Sequence, residues 1–160
     1  MITIFFLLVV YQLKHFIADY PLQGQYMLGK FKPGWEFVGP LAAHCLVHST
    51  MTFVIVYAFR PELAFQLAVF DFCMHFAMDR IKASPKLLGR YKAISANEYK
   101  ELVRAMEMPG NHPEIVMHIN SSKKKFKQVM RSNQLFWWAL GLDKMVHHLT
   151  HYAIIYWVLS

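Results

Sequence analysis

Histidine and aspartate recur at four-residue spacing in four apolar stretches of this sequence. Residues four apart lie above one another on a helix, so each set would share one helical face. Imidazole and carboxylate groups are common ligands of zinc and other divalent metals. The pattern therefore predicts a metal site. The ten candidate ligands are His15, Asp19, His44, His48, Asp71, His75, Asp79, Asp143, His147 and His151.

Six histidines and four carboxylates exceed what one tetrahedral zinc ion needs. The set predicts one or two divalent ions, zinc first and manganese or iron next, with the other side chains around them. A carboxylate not fully committed to metal would act as general base, and we assign that role to Asp19 or Asp79. Three basic residues, Lys30, Arg80 and Lys82, are explained first as membrane anchors and second as a rim that binds an anionic substrate.

The elements that would position these residues are apolar helices. The chain has 160 residues, of which 56% are hydrophobic and 17% charged, which is too apolar for an ordinary soluble domain. A helix needs roughly 20 residues to cross a bilayer. Four segments approach that length, at residues 2–20, 35–59, 62–81 and 134–159. The sequence therefore predicts one all-α domain over residues 1–160, an integral membrane bundle of about four transmembrane helices.

Positive charge is concentrated in the connection between the third and fourth segments, at about residues 82–133. The net charge is +7, and most of the Lys and Arg residues lie between Lys82 and Arg131. This clustering indicates a cytoplasmic loop facing anionic lipid, and it argues against a nucleic-acid partner. The positive-inside rule then predicts both termini outside and the site toward the cytoplasm. Whether copies of the chain form a homo-oligomer stays open.

The basic connection has helical patterns of its own. Ser95 and Glu98 form a capping box, which predicts a short surface helix that ends at Pro109 and Gly110. A second pattern predicts an interfacial helix that leads into the last span, with apolar residues opposite lysines. Its apolar residues are Phe126, Val129 and Met130.

The four aspartates are the residues that most oppose insertion of these helices into a membrane. An aspartate at the bilayer centre costs about 2.5–3.5 kcal/mol, so four would oppose insertion by several kcal/mol. A bound metal would offset that cost. With the predicted topology the four His and Asp sets lie at similar depth, near the cytoplasmic ends of their helices, and they could meet in the core of the bundle.

Four stretches of the sequence resemble domain-of-unknown-function family 3307, a group of small bacterial and phage inner-membrane proteins. They are HFIADYPLQGQYMLGK, AAHCLVHS, DFCMHFAMDRIK and GLDKMVHHLTHY. The resemblance covers nearly the whole chain except about residues 83–132. More widely, the chain is similar to predicted membrane-bound metal-dependent hydrolases, and distantly to all-helical zinc phospholipases C and nucleases. The resemblance implies a bacterial inner-membrane location and a ligand set of His15, Asp19, His44, Asp71, His75, Asp79, Asp143 and His147.

These observations favour a metal-dependent hydrolase. A divalent metal lowers the pKa of a bound water and stabilises charge on a departing oxygen, and the basic rim suits a phosphoester such as a lipid head group or a nucleotide. The sequence lacks the HExxH and GxSxG motifs of zinc peptidases and serine hydrolases. Three alternatives stay open: an ion, proton or metal transporter, a haem protein, and a structural membrane protein stapled by metal.

Overall fold

The computed structural model describes residues 2–32, 34–107 and 113–160. Within these ranges the chain is all-helical and contains no β-strand, which confirms the predicted fold class. Short 3₁₀ helices occupy Gln25–Phe31, Pro61–Leu63 and Leu88–Arg90. The α-helices are α1 (Ile2–Asp19), α2 (Val38–Tyr57), α3 (Ala64–Ala83), α4 (Ala96–Met106) and α5 (Pro113–Leu159).

Helices α1, α2, α3 and the C-terminal half of α5 pack into one bundle. Helices α2 and α3 form a hairpin, because only six residues with Pro61 among them connect the two. An apolar cluster joins the start of α1 and of α3 to the end of α2 and of α5, through Leu7, Leu67, Val56 and Ile154 among others. Helices α1 and α3 therefore run opposite to α2 and α5, and both ends of the described chain lie at the apolar end.

The bundle has apolar residues outside and many polar residues inside. Phe5, Leu13, Val54, Phe65 and Leu149 are all more than half exposed. The buried polar residues, by contrast, include five of the six candidate histidines at 4% exposure or less. An exposed apolar surface of this extent is compatible with a lipid environment.

Helices α1 and α2 are long and apolar enough to cross a membrane. Their apolar stretches are mainly on the surface, since only 28% of the α1 residues and 39% of the α2 residues in these stretches are buried. The sequence predicts about four membrane spans. Helix α3 carries Asp71, Asp79, Arg80 and Lys82, so it is less apolar, and the third and fourth spans stay predictions.

The basic connection is largely helical. Helix α4 begins where predicted, with the Ser95 hydroxyl accepting a hydrogen bond from the Glu98 backbone N–H at 3.2 Å, so the N-cap at Ser95 is confirmed. Its predicted end at Pro109 and Gly110 lies outside the described residues. Two further bonds tie the chain before α4 to α5: Ser132 accepts from Lys92 N–H, and Asn133 accepts from Ile94 N–H.

The predicted interfacial helix and the predicted last span form one 47-residue helix, α5. No proline interrupts α5 after Pro113 and Gly141 is its one glycine, so helical hydrogen bonding continues through the predicted boundary at residue 134. At 1.5 Å per residue, the part before residue 134 is about 30 Å long. Its Phe126 ring lies 5.9 Å from the ring of Tyr99 in α4, so part of this apolar face packs on α4.

Candidate metal centre

The candidate histidines meet in the core of the bundle, next to the apolar cluster. The ring of His15 in α1 lies 5.2 Å from that of His147 and 5.4 Å from that of His151, both in α5. The ring of His75 in α3 lies 4.1 Å from that of His48 in α2 and 4.4 Å from that of His147. Four helices thus contribute to one histidine cluster, as their four-residue spacing predicts.

Three groups of side chains offer ligand atoms that lie within 4.8 Å of one another, close enough to hold a metal ion. One group consists of histidines alone, namely His15, His75 and His151. The second contains His15, Asp19 and His48, and the third contains Asp79, Asp143 and His147. Eight of the ten candidates therefore belong to a group. Because His15 is shared by the first two groups, those two would compete for its ring.

Two of these histidines have their rings oriented by the helix that carries them. The Nδ1–H of His75 donates to the Asp71 carbonyl at 2.9 Å, and the Nδ1–H of His147 donates to the Asp143 carbonyl at 2.7 Å. A backbone acceptor at Nδ1 leaves the lone pair on Nε2 free, which is the usual arrangement of a metal-binding histidine. Nε2 of His75 is buried and has no hydrogen-bond partner among the described residues.

Further ring nitrogens are buried without a hydrogen bond in the described part of the chain. A buried polar atom without a partner loses its hydration and gains nothing in return, so such atoms are rare in folded proteins. These ring nitrogens are Nδ1 of His15, His44, His48 and His151. A metal ion held by one of the three groups would satisfy such an atom only in His15, His48 or His151, because His44 belongs to none of the groups.

Two candidates, His44 and Asp71, are not in any of the three groups. His44 Nε2 lies 3.2 Å from Asp79 and 3.6 Å from Asp19, so it contacts carboxylates of two groups. Asp71 lies beneath His75 and accepts hydrogen bonds from Lys14 at 2.7 Å and Thr52 at 2.8 Å. Both residues are placed to orient ligands, as residues around metal sites commonly do.

Each of the four aspartates is paired with a lysine. Lys14 pairs with Asp71 at 2.7 Å, and Lys82 pairs with Asp143 at 2.6 Å. The other two pairs join Lys30 to Asp79 at 3.1 Å and Lys144 to Asp19 at 2.7 Å. The Lys14 and Asp71 side chains are almost completely buried.

Because of these pairs, the burial of four aspartates does not by itself require a metal to offset their charges. Four ammonium groups balance four carboxylates, and a paired charge is far less costly to bury than an isolated one. Five histidines with an unpaired ring nitrogen are therefore the stronger indication of a metal, and Asp143, whose Oδ1 is also unpaired among the described residues, is the indication within the third group. Lys14 and Lys144 were missed in the sequence, although each stands next to a candidate ligand inside a predicted span, where any charged residue suggests function.

An open cavity of about 200 Å³ leads into the site from the end opposite the apolar cluster. Its walls include the complete third group, Asp79, Asp143 and His147, and also Asp19. Three lysines line the same cavity, namely Lys30, Lys82 and Lys144. Both residues assigned as general base, Asp19 and Asp79, therefore face the space in which a substrate would be held. Of the two, Asp19 is more exposed, at 19% of its side chain against 6%.

Lys30 reaches the cavity from the 3₁₀ helix between α1 and α2. Gly29 permits this approach, because a Cβ at that position would lie 2.8 Å from Cγ of Pro40 at the start of α2. Arg80, the third predicted substrate-binding residue, does not line this cavity. Its guanidinium carbon lies 3.5 Å from the centre of the Phe37 ring, on another side of α3.

Comparison with known proteins identified one family. The family described as "Protein of unknown function (DUF3307)" matches residues 4–102, which is more than half of the chain. The match covers α1 from residue 4, all of α2 and α3 and the start of α4, whereas the ligands of α5 lie beyond it. No curated protein and no solved structure matches. The wider resemblance to membrane-bound hydrolases therefore stays a hypothesis.

Proposed function

We propose that this chain, which belongs to the DUF3307 family, is a membrane-embedded metal-dependent hydrolase that acts on a phosphoester. One observation carries the proposal. A single open cavity contains three residues that could hold a metal, two carboxylates that could serve as general base, and three lysines that could bind an anion. A metal site with only a structural role, joining the helices, would not need an open cavity.

The membrane part of the proposal comprises four spans, formed by α1, α2, α3 and the C-terminal half of α5. The outward-facing apolar residues on all four helices support it, including Phe65 of α3 and Leu149 of α5. Trp137 and Trp138 are exposed near the predicted start of the fourth span, where aromatic residues commonly lie at the membrane surface. By the positive-inside rule the cavity faces the cytoplasm of a bacterial cell and both termini face outward.

The residues of the cavity suggest how they would act. A bound divalent metal, zinc in the first instance, would supply charge stabilisation for the phosphoryl oxygens and lower the pKa of water. Lys82 and Lys144 would bind the phosphate, at the cost of loosening their pairs with Asp143 and Asp19. The Asp19 carboxylate would accept a proton from the attacking water. The water oxygen would bond to phosphorus, the ester P–O bond would break, and the departing alcohol oxygen would take the proton that Asp19 had accepted.

A transport pathway through the bundle is the less favoured function. The polar groups continue from the cavity through the histidine cluster to Lys14, Asp71 and Thr52. Beyond them lies the apolar cluster that contains Leu7, Val56 and Ile154. A proton or ion would need hydrated or polar groups on that side as well, and among the buried residues described in that cluster the Tyr11 hydroxyl is the one polar side-chain group.

Metal analysis of the detergent-purified protein tests the proposal first. We expect about one or two equivalents of zinc, manganese or iron in the wild type, and a loss in His147→Ala and Asp143→Asn. His148→Ala is the matched control, because His148 borders the cluster, with its ring 6.2 Å from that of His15, but bonds Gln12 and belongs to none of the three metal groups. Its metal content should equal that of the wild type. Thermal unfolding in detergent would check that each variant remains folded.

Release of inorganic phosphate from monobutyl phosphate by the metal-loaded protein tests the reaction. Activity that disappears in folded His147→Ala and remains in His148→Ala would support the hydrolase. A wild type without metal after reconstitution would refute the metal centre. Bound metal without turnover of any phosphoester would instead favour a metal-stapled structural protein.

A further inference from the structure

A second cavity, which is lined mainly by apolar residues, lies beside the lysine-lined one. Its volume is about 380 Å³, and it lies between the segment that follows α3 and the middle of α5. Ala83, Leu88 and Tyr91 line one side, and Phe136 and Ala139 line the other. This volume falls within the range of about 300–1,000 Å³ that is typical of ligand sites. The proposed reaction does not use this cavity.

The two cavities are neighbours with common walls. Phe31, Lys82 and Leu140 line both of them. Lys82 stands at the junction, where its ammonium group lies 2.6 Å from Asp143, one of the candidate metal ligands. A ligand bound across the junction would have its anionic group beside three lysines and its remaining part among apolar side chains.

The position of the second cavity indicates how such a ligand would arrive. Phe136 in its wall is followed directly by Trp137 and Trp138, whose side chains are 57% and 69% exposed. Exposed tryptophans of this kind lie at the level of lipid head groups. An amphiphile in the cytoplasmic leaflet would hold its phosphate at about the same depth, so it could enter sideways without leaving the membrane.

We infer that the substrate is an amphiphilic phosphoester, with its phosphate in the lysine-lined cavity and its apolar chain in the neighbouring apolar cavity. This inference rests on the proposed hydrolase function and selects a lipid-like substrate over a nucleotide. A nucleoside could stack on Phe31, Tyr91 or Phe136, but its base also needs polar partners. The side chains of this cavity offer almost only donors: Lys82 and Lys92 cannot accept, and the Tyr91 hydroxyl oxygen already accepts from Arg90, so the amino groups of a base would find few acceptors.

Two substrates with the same head group and different chains test the inference. The full-length protein, purified in detergent and loaded with zinc, would be given monododecyl phosphate or monobutyl phosphate in mixed micelles. Ala139→Phe places a larger side chain in the apolar cavity without touching the lysine-lined one. We expect kcat/KM for the dodecyl ester to fall about tenfold and that for the butyl ester to change by less than about twofold.

Ala68→Phe is the matched control. Ala68 is as buried as Ala139, at 7% against 8% exposure, and it also lines an apolar cavity. That cavity lies between α2 and α3, among Leu46, Phe53 and Phe65, and shares no residue with the two discussed above. The control should hydrolyse both esters at the wild-type rate, which separates a filled substrate cavity from a general effect of added volume.

Failure of the inference and failure of the hydrolase proposal give different results. Equal hydrolysis of dodecyl phosphate by the wild type and folded Ala139→Phe would overturn the inference and leave the hydrolase intact. Preferred hydrolysis of adenosine monophosphate, lost in Ala139→Phe, would also overturn it, because the cavity would then hold a nucleoside. Release of phosphate from no ester would refute the hydrolase. Binding of radiolabelled dodecyl phosphate, unchanged in Ala139→Phe, would then refute the inference separately.

Discussion

The two halves of the bundle core are equally buried and chemically opposite. At one end, Leu7, Val56 and Ile154 pack without any exposed surface. In the other half, Asp71 and His75 are just as inaccessible, but they are ionisable. The same four helices contribute to both halves. Helix packing by itself therefore does not require the polar half, because the apolar end shows that these helices can be joined by apolar residues.

The polar half in turn contains two kinds of group. Each aspartate is paired with a lysine, although one carboxylate oxygen of Asp71 and one of Asp143 accept no hydrogen bond, whereas five histidines have a buried ring nitrogen without a partner among the described residues. Paired groups hold helices together, since each Lys–Asp pair joins two different elements. Unpaired nitrogens lower stability unless a ligand uses them. We therefore assign a structural role to the fully buried pair of Lys14 and Asp71 and a binding role to the histidines, and the following substitutions test that division.

The largest effect is expected at the buried pair of Lys14 and Asp71. Asp71→Leu leaves the Lys14 ammonium group buried without a counterion, so the free energy of unfolding should fall by about 3–5 kcal/mol. Lys14→Met combined with Asp71→Leu replaces both charges and should restore most of that loss. Unfolding by sodium dodecyl sulfate in mixed micelles would measure all three proteins. A single variant within about 1 kcal/mol of the wild type would contradict the structural role of the pair.

A smaller effect is expected at the apolar end. Ile154→Ala removes a fully buried side chain, which should lower the free energy of unfolding by about 3 kcal/mol. Metal content per folded molecule should stay at the wild-type value, because Ile154 belongs to the apolar cluster and to none of the metal groups. The same unfolding assay, combined with elemental analysis, would measure both quantities. Loss of metal in folded Ile154→Ala would show that the two halves are coupled.

The smallest effect is expected outside the bundle, at the start of α4. Ser95→Ala removes the hydroxyl that accepts from the Glu98 backbone N–H, and α4 should lose about 1 kcal/mol of local stability. Hydrogen exchange should speed up at the amides of residues 97–99, with no change in metal content. Asn97→Ala, in an exposed position of the same helix, serves as the control. Faster exchange throughout the bundle in Ser95→Ala would contradict this prediction.

Much of the fold was accessible from local patterns. Four-residue spacing of His and Asp identified faces of α1, α2, α3 and α5, because helical geometry alone sets which residues stack. The capping box located α4 for the same reason, since Ser95 and Glu98 act within one turn. The start of the last span, predicted at residue 134 from the change in composition, does not coincide with the start of a helix. Backbone hydrogen bonds form in polar and apolar helical stretches alike, so α5 begins at Pro113 and continues through residue 134 without a break.

The sequence by itself determined that His and Asp would share helical faces in an apolar, basic chain, because those properties depend on neighbours along one helix. Only the tertiary structure decided which lysine pairs with which aspartate. Lys14 and Asp71 are separated by 57 positions, and Lys144 and Asp19 by 125. It also decided that the lysine-lined cavity adjoins an apolar one. Such relations depend on the distances and rotations between packed helices, which no single segment encodes.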